Sequence, residues 1–245
     1  MKIQRTSFYI ISLVIMMLCS VTSFSQDQTI ANDSVIFKQS YGLRLGGDIS
    51  KLLKSFLDDD YKGLEVNGDY RLTKKLYLAG ELGIEEKTTS EDYLTTTAKG
   101  SYFKAGVDYN SYINWLDMEN MIYGGFRVGL SSFSQTLNSF TVYNTNQYWQ
   151  QQFTDNPNIE FKGLSAMWAE LLVGIKVETI NNLYVGFNFQ LKAMITNDEP
   201  DNFANLHVPG FNKIYDSGRL GTGFGYTISY LIPIYKKNKV EVIFK

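Results

Sequence analysis

From Tyr41 onward, apolar residues recur at every second position, which is the period of a β-strand and not of a helix. "YGLRLGGDIS" sets Tyr41, Leu43, Leu45 and Ile49 on one face and Arg44, Asp48 and Ser50 on the other. "LEVNGDYRL" sets Leu64, Val66, Tyr70 and Leu72 against Glu65, Asn67, Asp69 and Arg71. After a tight "TKK", "LYLAGELGIEE" resumes with Leu76, Leu78, Leu82 and Ile84 on one side. "SYFKAGVDYNS", "MIYGGFRVGLS", "MWAELLVGIKVE", "LYVGFNFQLKA" and "GRLGTGFGYTISYLIPIY" repeat the pattern, giving eight segments. Between the first and last apolar residue of each segment, no Asp, Glu, Lys or Arg stands on the apolar face. With 20% of the chain charged, so clean a separation predicts strands with two different surroundings.

The connections alternate too. Short ones are expected at Thr73–Lys75, Ile113–Asn120 and Thr179–Asn182, and long loops at 51–60, 87–100, 132–163 and 195–217. An even number of strands, with short turns at one end and long loops at the other, is the layout of an outer-membrane barrel. Periodicity alone leaves a second reading open. In a soluble β-sandwich or lipocalin-like barrel the apolar faces would form the core.

Three features favour the membrane. The polar faces carry glycines as well as charges, among them Gly42, Gly46, Gly83, Gly106, Gly129 and Gly174. Glycine weakens a solvated strand, but a narrow lumen needs small residues between large ones. Tyr41, Tyr70, Tyr112, Trp115, Tyr123, Tyr184 and Tyr235 gather near the short turns, where an interfacial girdle belongs. Finally, "MKIQRTSFYIISLVIMMLCSVTSFSQ" has the basic start, apolar stretch and small residues of an export signal cleaved before Gln26. The predicted fold is therefore all-β: an eight-stranded antiparallel transmembrane β-barrel of outer-membrane type after a cleaved signal peptide. Its parts are a signal peptide (1–25), an N-terminal periplasmic segment (26–40), the barrel (41–235) and a basic C-terminal tail (236–245).

Composition narrows the chemistry. Cleavage removes the single cysteine, Cys19, so neither disulfides nor thiolate catalysis are expected. It also removes Lys2 and Arg5, leaving 21 basic residues against 25 acidic ones, a charge of 21 − 25 = −4. That balance excludes a nucleic-acid-binding surface.

"GRLGTGFGY" invites comparison with a phosphate-binding loop, which reads G-x-G-x-x-G between a strand and a helix. Here Gly221, Gly223 and Gly225 fall on strictly alternate positions and more strand follows, so they predict a thin stretch of barrel wall. Gly225, Ile228 and Tyr230 resemble the insertion signal read by the barrel assembly machinery. The layout of residues 41–235 resembles the small OmpA and OmpX type barrels. "YGLRLGGDISK", "GSYFKAGVDYN", "MENMIYGGFRVG" and "PGFNKIYDSGRLGTGFGYTISYLIP" resemble more closely a family of uncharacterised bacterial outer-membrane proteins. That resemblance implies a fold and supplies no catalytic residues.

The inward faces gather Arg44, Arg71, Lys104, Arg127, Lys176 and Lys192 against Asp48, Glu65, Asp69, Glu81, Asp108 and Glu170, with Glu85 and Glu178 besides. So even a mixture predicts a salt-bridged plug, with a small passive channel as the alternative. The one histidine, His207, lies in the last long loop near Asp198, Glu199, Asp201, Asp216 and Ser217. A lipid- or peptide-hydrolysing enzyme would need such a histidine, but no fixed motif joins these residues. "LDDDY" and "NDEPD" lack the ligand spacing of a calcium loop, and neither metal nor cofactor is expected.

In the longest loop, Tyr143, Tyr148, Trp149 and Phe153 stand among amides, a composition suited to a glycan or protein ligand and equally to packing of the loop on itself. The expected role is non-catalytic, structural or surface-interacting, for a monomer. Its expected partners are outer-membrane lipid and lipopolysaccharide, the assembly machinery and an extracellular ligand.

Overall fold

The computed structural model describes residues 33–112, 114, 119–142, 153–200, 203–213 and 219–243, with side chains between 41 and 235. Phe37–Lys239 forms one compact unit. The expected signal peptide, Trp115, Tyr143, Tyr148 and Trp149 lie outside the described residues.

Alternation gives way to long antiparallel strands: β1 (Asp33–Asp48), β2 (Tyr61–Arg71), β3 (Leu76–Glu91), β4 (Leu94–Asn110), β5 (Met121–Val142), β7 (Ile159–Ile180), β8 (Leu183–Asn197) and β11 (Leu220–Ile243). Each pairs with the next, and β11 returns to lie beside β1, closing a ring of eight. Short β6 (Phe153–Asp155) adds to β5, and β9 (His207–Val208) pairs with β10 (Asn212–Lys213).

The register fixes the faces. Along β8, Val185, Phe187, Phe189 and Leu191 are exposed while Tyr184, Gln190 and Lys192 are buried. Large apolar side chains cover the outside and ionised ones fill the inside, the reverse of a water-soluble barrel. The chain is an eight-stranded antiparallel transmembrane β-barrel of outer-membrane type. Among the described residues, no helix is long and apolar enough to cross a membrane.

The long-loop end departs from expectation. The stretch expected as a loop at 51–60 contains a helix, α1 (Ile49–Leu57). Asp48 caps it through the Ser50 N–H (2.8 Å). The expected loop at 87–100 is a continuous β3–β4 ribbon that pairs up to Glu91 and Leu94. Its tip, "SEDYLTTT", lacks apolar alternation because both of its faces carry polar residues, buried Thr96 among them. Much of the expected loop at 132–163 is likewise strand, and residues 236–243, expected as a tail, continue β11.

The girdle also needs correction. Tyr123 and Tyr184 point into the lumen, and Tyr41 is buried in a stack on Tyr235 with ring centroids 5.3 Å apart. Exposed Tyr109, Tyr112 and Tyr230 remain on the outside.

Candidate functional site

The lumen is built in tiers, and inward residues of adjacent strands supply each tier. At the short-turn end, Arg71 bonds Glu119 (2.6 Å). Arg44 bonds Asp69 (2.7 Å) and lies between the rings of Tyr77 and Tyr184, whose centroids are 5.0 and 4.9 Å from its guanidinium carbon. Lys176 reaches the other oxygen of Asp69 (2.6 Å). In the middle tier Arg127 joins Asp108 (2.8 Å) and Glu81 (3.6 Å), and Lys104 joins Glu81 (2.7 Å). Higher still, Glu170 accepts from the Trp168 indole (2.7 Å) and lies 3.8 Å from Lys104 and 3.6 Å from Lys192. Removing an ion from water costs several kcal/mol, so such groups persist only where each meets a partner. The inward charges read from the sequence fall into separate groups: Arg71 with Glu119, which was missed in a short turn; Arg44 and Lys176 with Asp69; and Arg127, Lys104 and Lys192 with Asp108, Glu81, Glu65 and Glu170. Asp48 stands in no ion pair among the described residues.

Above these tiers the filling becomes apolar. Tyr102, Phe133, Trp168, Met194, Val208 and Phe211 form a buried cluster. Glycines make the room. A Cβ on Gly129 would sit 2.2 Å from the Trp168 ring, and one on Gly83 would meet the Tyr102 ring. Val208 and Phe211 belong to the last long loop, which folds into the mouth instead of extending from it. Gly210, at φ +83°, lies so close to Tyr102 and Trp168 that only glycine fits. Its N–H donates to Glu85 (2.7 Å), and its carbonyl accepts from Lys192 (2.7 Å).

His207 is therefore buried, with Nε2 3.6 Å from Glu85. Glu85 also accepts from Tyr61 (2.8 Å) and pairs with Lys51. Of the residues that the sequence offered beside His207, the structure describes Asp198 and Glu199. Asp198 instead accepts from the Ser165 hydroxyl (2.5 Å), and Glu199 from Asn197 (2.9 Å). No group of three or more metal-binding side chains occurs among the described residues. Phe153 sits in β6, exposed.

The ring changes material where α1 begins. β1 ends at Asp48, opposite the Glu65 region of β2, and the helix rises where the strand would have continued. Ser55 receives the Gly63 N–H of β2 (2.7 Å), and its single hydroxyl proton is shared between the carbonyls of Lys51 (2.9 Å) and Gly63 (3.2 Å). On the other side, Asp48 receives the Tyr226 N–H of β11 (3.3 Å). Lys51 turns inward to Glu65 (3.2 Å) and Glu85.

Lys51 and α1 were legible in one signal. "ISKLLKSFL" places Leu52, Leu53, Phe56 and Leu57 at helical spacing. These apolar residues face outward, with Phe56 84% and Leu57 85% exposed.

Between α1 and β11 opens a cavity of about 710 Å³, within the size range of small-molecule sites. Its lining mixes the two faces of the wall: inward Glu65, Lys104 and Lys192, and outward Phe189, Phe224 and Tyr226. The cavity thus borders both faces of the wall where the helix replaces the strand. Gly221, Gly223 and Gly225 border it or the loop that roofs it, where a Cβ would meet Phe211, Gln190 or Asp48 within about 3 Å.

A closed ring, an apolar exterior and an ion-paired interior define a transmembrane barrel whose lumen is filled by its own side chains. The family model described as Domain of unknown function (DUF6048) matches residues 6–237, and the chain belongs to that family. No curated protein matches it. Among solved structures it is similar to the crystal structure of Ail, the attachment invasion locus protein of Yersinia pestis. The identity is 9% and the TM-score 0.35, over 82% of this chain and 99% of that one.

Proposed function

We propose that this protein is a non-catalytic, non-conducting barrel of the bacterial outer membrane that acts as a surface scaffold. The observation that carries the reading is the contrast between a lumen blocked by paired charges and ribbons that outgrow the apolar belt. On β3 and β4 the outward face is apolar through Ile84 and Phe103, then turns to Glu86, Thr88, Ser90, Lys99, Thr97 and Thr95. On β5 it turns polar after Leu130. Strand pairing nevertheless continues for several residues, giving a stiff, threonine-rich sheet with β6 at its edge. Such an edge can pair with an extended segment of another protein.

A passive channel would need a continuous aqueous path, against which Arg44, Lys104 and Trp168 stand buried across the lumen. A hydrolase would need a nucleophile beside His207, whose recorded side-chain partner is Glu85.

The test replaces residues 136–158 by a two-residue turn. The shortened protein should still shift on unboiled denaturing gels while losing retention on immobilised cell-surface glycans and proteins. Equal retention of both forms would sink the scaffold reading, and steady unitary conductance in planar bilayers would favour the channel.

A further inference from the structure

We propose that the opening between α1 and β11 is a lateral binding site for one anionic membrane lipid, with its acyl chain entering past Phe224 and its phosphate held at Lys54. The inference rests on the outward faces meeting lipid, as the fold requires.

The first support is where the opening lies. Phe224 pairs with Phe189, and Tyr226 with Phe187, inside the apolar belt, which on this side continues up to Leu220 and Ile195. The medium at the mouth is therefore hydrocarbon, and what enters from it is a chain and not a hydrated solute. Leu53 and Leu57 of α1 supply the opposite apolar wall.

Continuity of the strand edge is the second. Where β1 stops, the edge of β11 lies beside the cavity and not beside another strand. β1 stops at Asp48, whose side chain bonds the Tyr226 N–H. The next stretch of β11 toward Leu220 faces the cavity, with Thr222, Gly223 and Phe224 in its lining.

Charge is the third. Lys51, Lys54 and Lys87 all line the cavity. Lys51 is matched by Glu65 and Glu85, and Lys87 by Asp58 (2.9 Å). Lys54 has no carboxylate within ion-pair distance among the described residues; its ammonium lies 4.1 Å from the centroid of the Tyr61 ring. Lys87 adds a second cation beside it, while Glu85 and Asp58 act on it only from beyond ion-pair distance. A phosphate placed there supplies the direct counter-charge that Lys54 lacks among the described residues. A zwitterionic head group brings its own cation into the same field and gains less.

The test uses the full mature chain, refolded in a non-ionic maltoside detergent and checked by its gel shift before and after boiling. Native mass spectrometry then follows titration with dioleoyl phosphatidate, dioleoyl phosphatidylcholine or inorganic phosphate. One phosphatidate should survive detergent removal per barrel, in preference to phosphatidylcholine by about tenfold. Lys54→Glu should abolish that preference. Gly223→Leu, whose side chain projects among the flexible ends of Gln190 and Lys192, should reduce retention of both lipids.

Equal retention of the two lipids by the wild type, or indifference to both substitutions, would overturn the proposal and leave ordinary annular lipid. Displacement of phosphatidate by equimolar inorganic phosphate would also overturn it, reducing the site to one for free anions. Absence of a gel shift together with solubility without detergent would instead remove the membrane reading itself.

Discussion

The two ends of this barrel solve the closure of the ring differently. At the short-turn end every strand meets a strand, and Arg44, Asp69 and Lys176 tie β1, β2 and β7 across the lumen. At the long-loop end, one position in the wall passes from β1 to α1, and side chains of Asp48 and Ser55 replace strand pairing. A helix satisfies its own backbone internally, so it can occupy wall space without a ladder to either neighbour. What it cannot do is seal both sides, and the cavity lies on the side it leaves. The charged interior therefore serves two purposes in one molecule, as cross-ties below and as the floor of an opening above.

That contrast can be broken most severely from below. Asp69→Ala leaves Arg44 and Lys176 buried without their carboxylate, and should cost about 3–5 kcal/mol. Denaturant unfolding in vesicles, followed by tyrosine fluorescence, would show it; a cost under ~1 kcal/mol would mean that water enters the short-turn end.

Gly210→Ala comes next. The left-handed backbone and the contact with Tyr102 should together cost about 1–3 kcal/mol, confined to the last loop. Proteolysis should then cut between β8 and β11 in the variant alone, with the boiled-gel shift retained. A variant as resistant as the wild type would show that the loop is not held through Gly210.

Smaller effects sharpen the upper half. Asp48→Ala removes the cap of α1 and the bond to Tyr226, at about 0.5–2 kcal/mol. Amides of α1 should exchange faster while those of β2 facing β3 stay unchanged. Faster exchange in both would mean that helix and wall are one unit.

The gentlest probe is pH. The hydrogen bond from Lys87 holds the Asp58 carboxyl below its usual range. A depressed carboxylate favours the folded contact above its unfolded-state pKa and loses that advantage as pH falls through the folded one. The C-terminal turn of α1 should loosen in that acidic window, seen as shifts of the Asp58 and Lys54 amides. Retention of those shifts in Lys87→Gln would exclude the pair as their cause.

Much of the lower half was legible in the sequence. The alternation of Glu65, Asn67, Asp69 and Arg71 against Leu64, Val66 and Leu72 fixes the faces of β2, because a register slip of one residue would turn charge into hydrocarbon. The upper half was less so. The ribbon from Thr88 to Thr97 has two polar faces and hence no period to read. The α1 segment does carry helical spacing in Leu52, Leu53, Phe56 and Leu57, a signal passed over because it runs for nine residues beside strands of sixteen. "HVPGF" looked like an ordinary loop because inward folding depends on partners far away in sequence, among them Tyr102 and Glu85. Tyr123 and Tyr184 were misplaced for a related reason. An aromatic at a strand end suits an interface or a cation, and Arg44 supplies the cation for Tyr184 just as Lys176, 5.1 Å from the ring centroid, does for Tyr123.

The inward fold of the last loop also bears on recognition by antibodies. Val208, Gly210 and Phe211 are packed beneath the mouth, so antibodies raised against a linear peptide spanning them would recognise the denatured chain and pass over the intact one. The exposed β3–β4 ribbon offers the opposite case: a stiff, polar epitope whose shape depends on strand pairing and is lost on boiling.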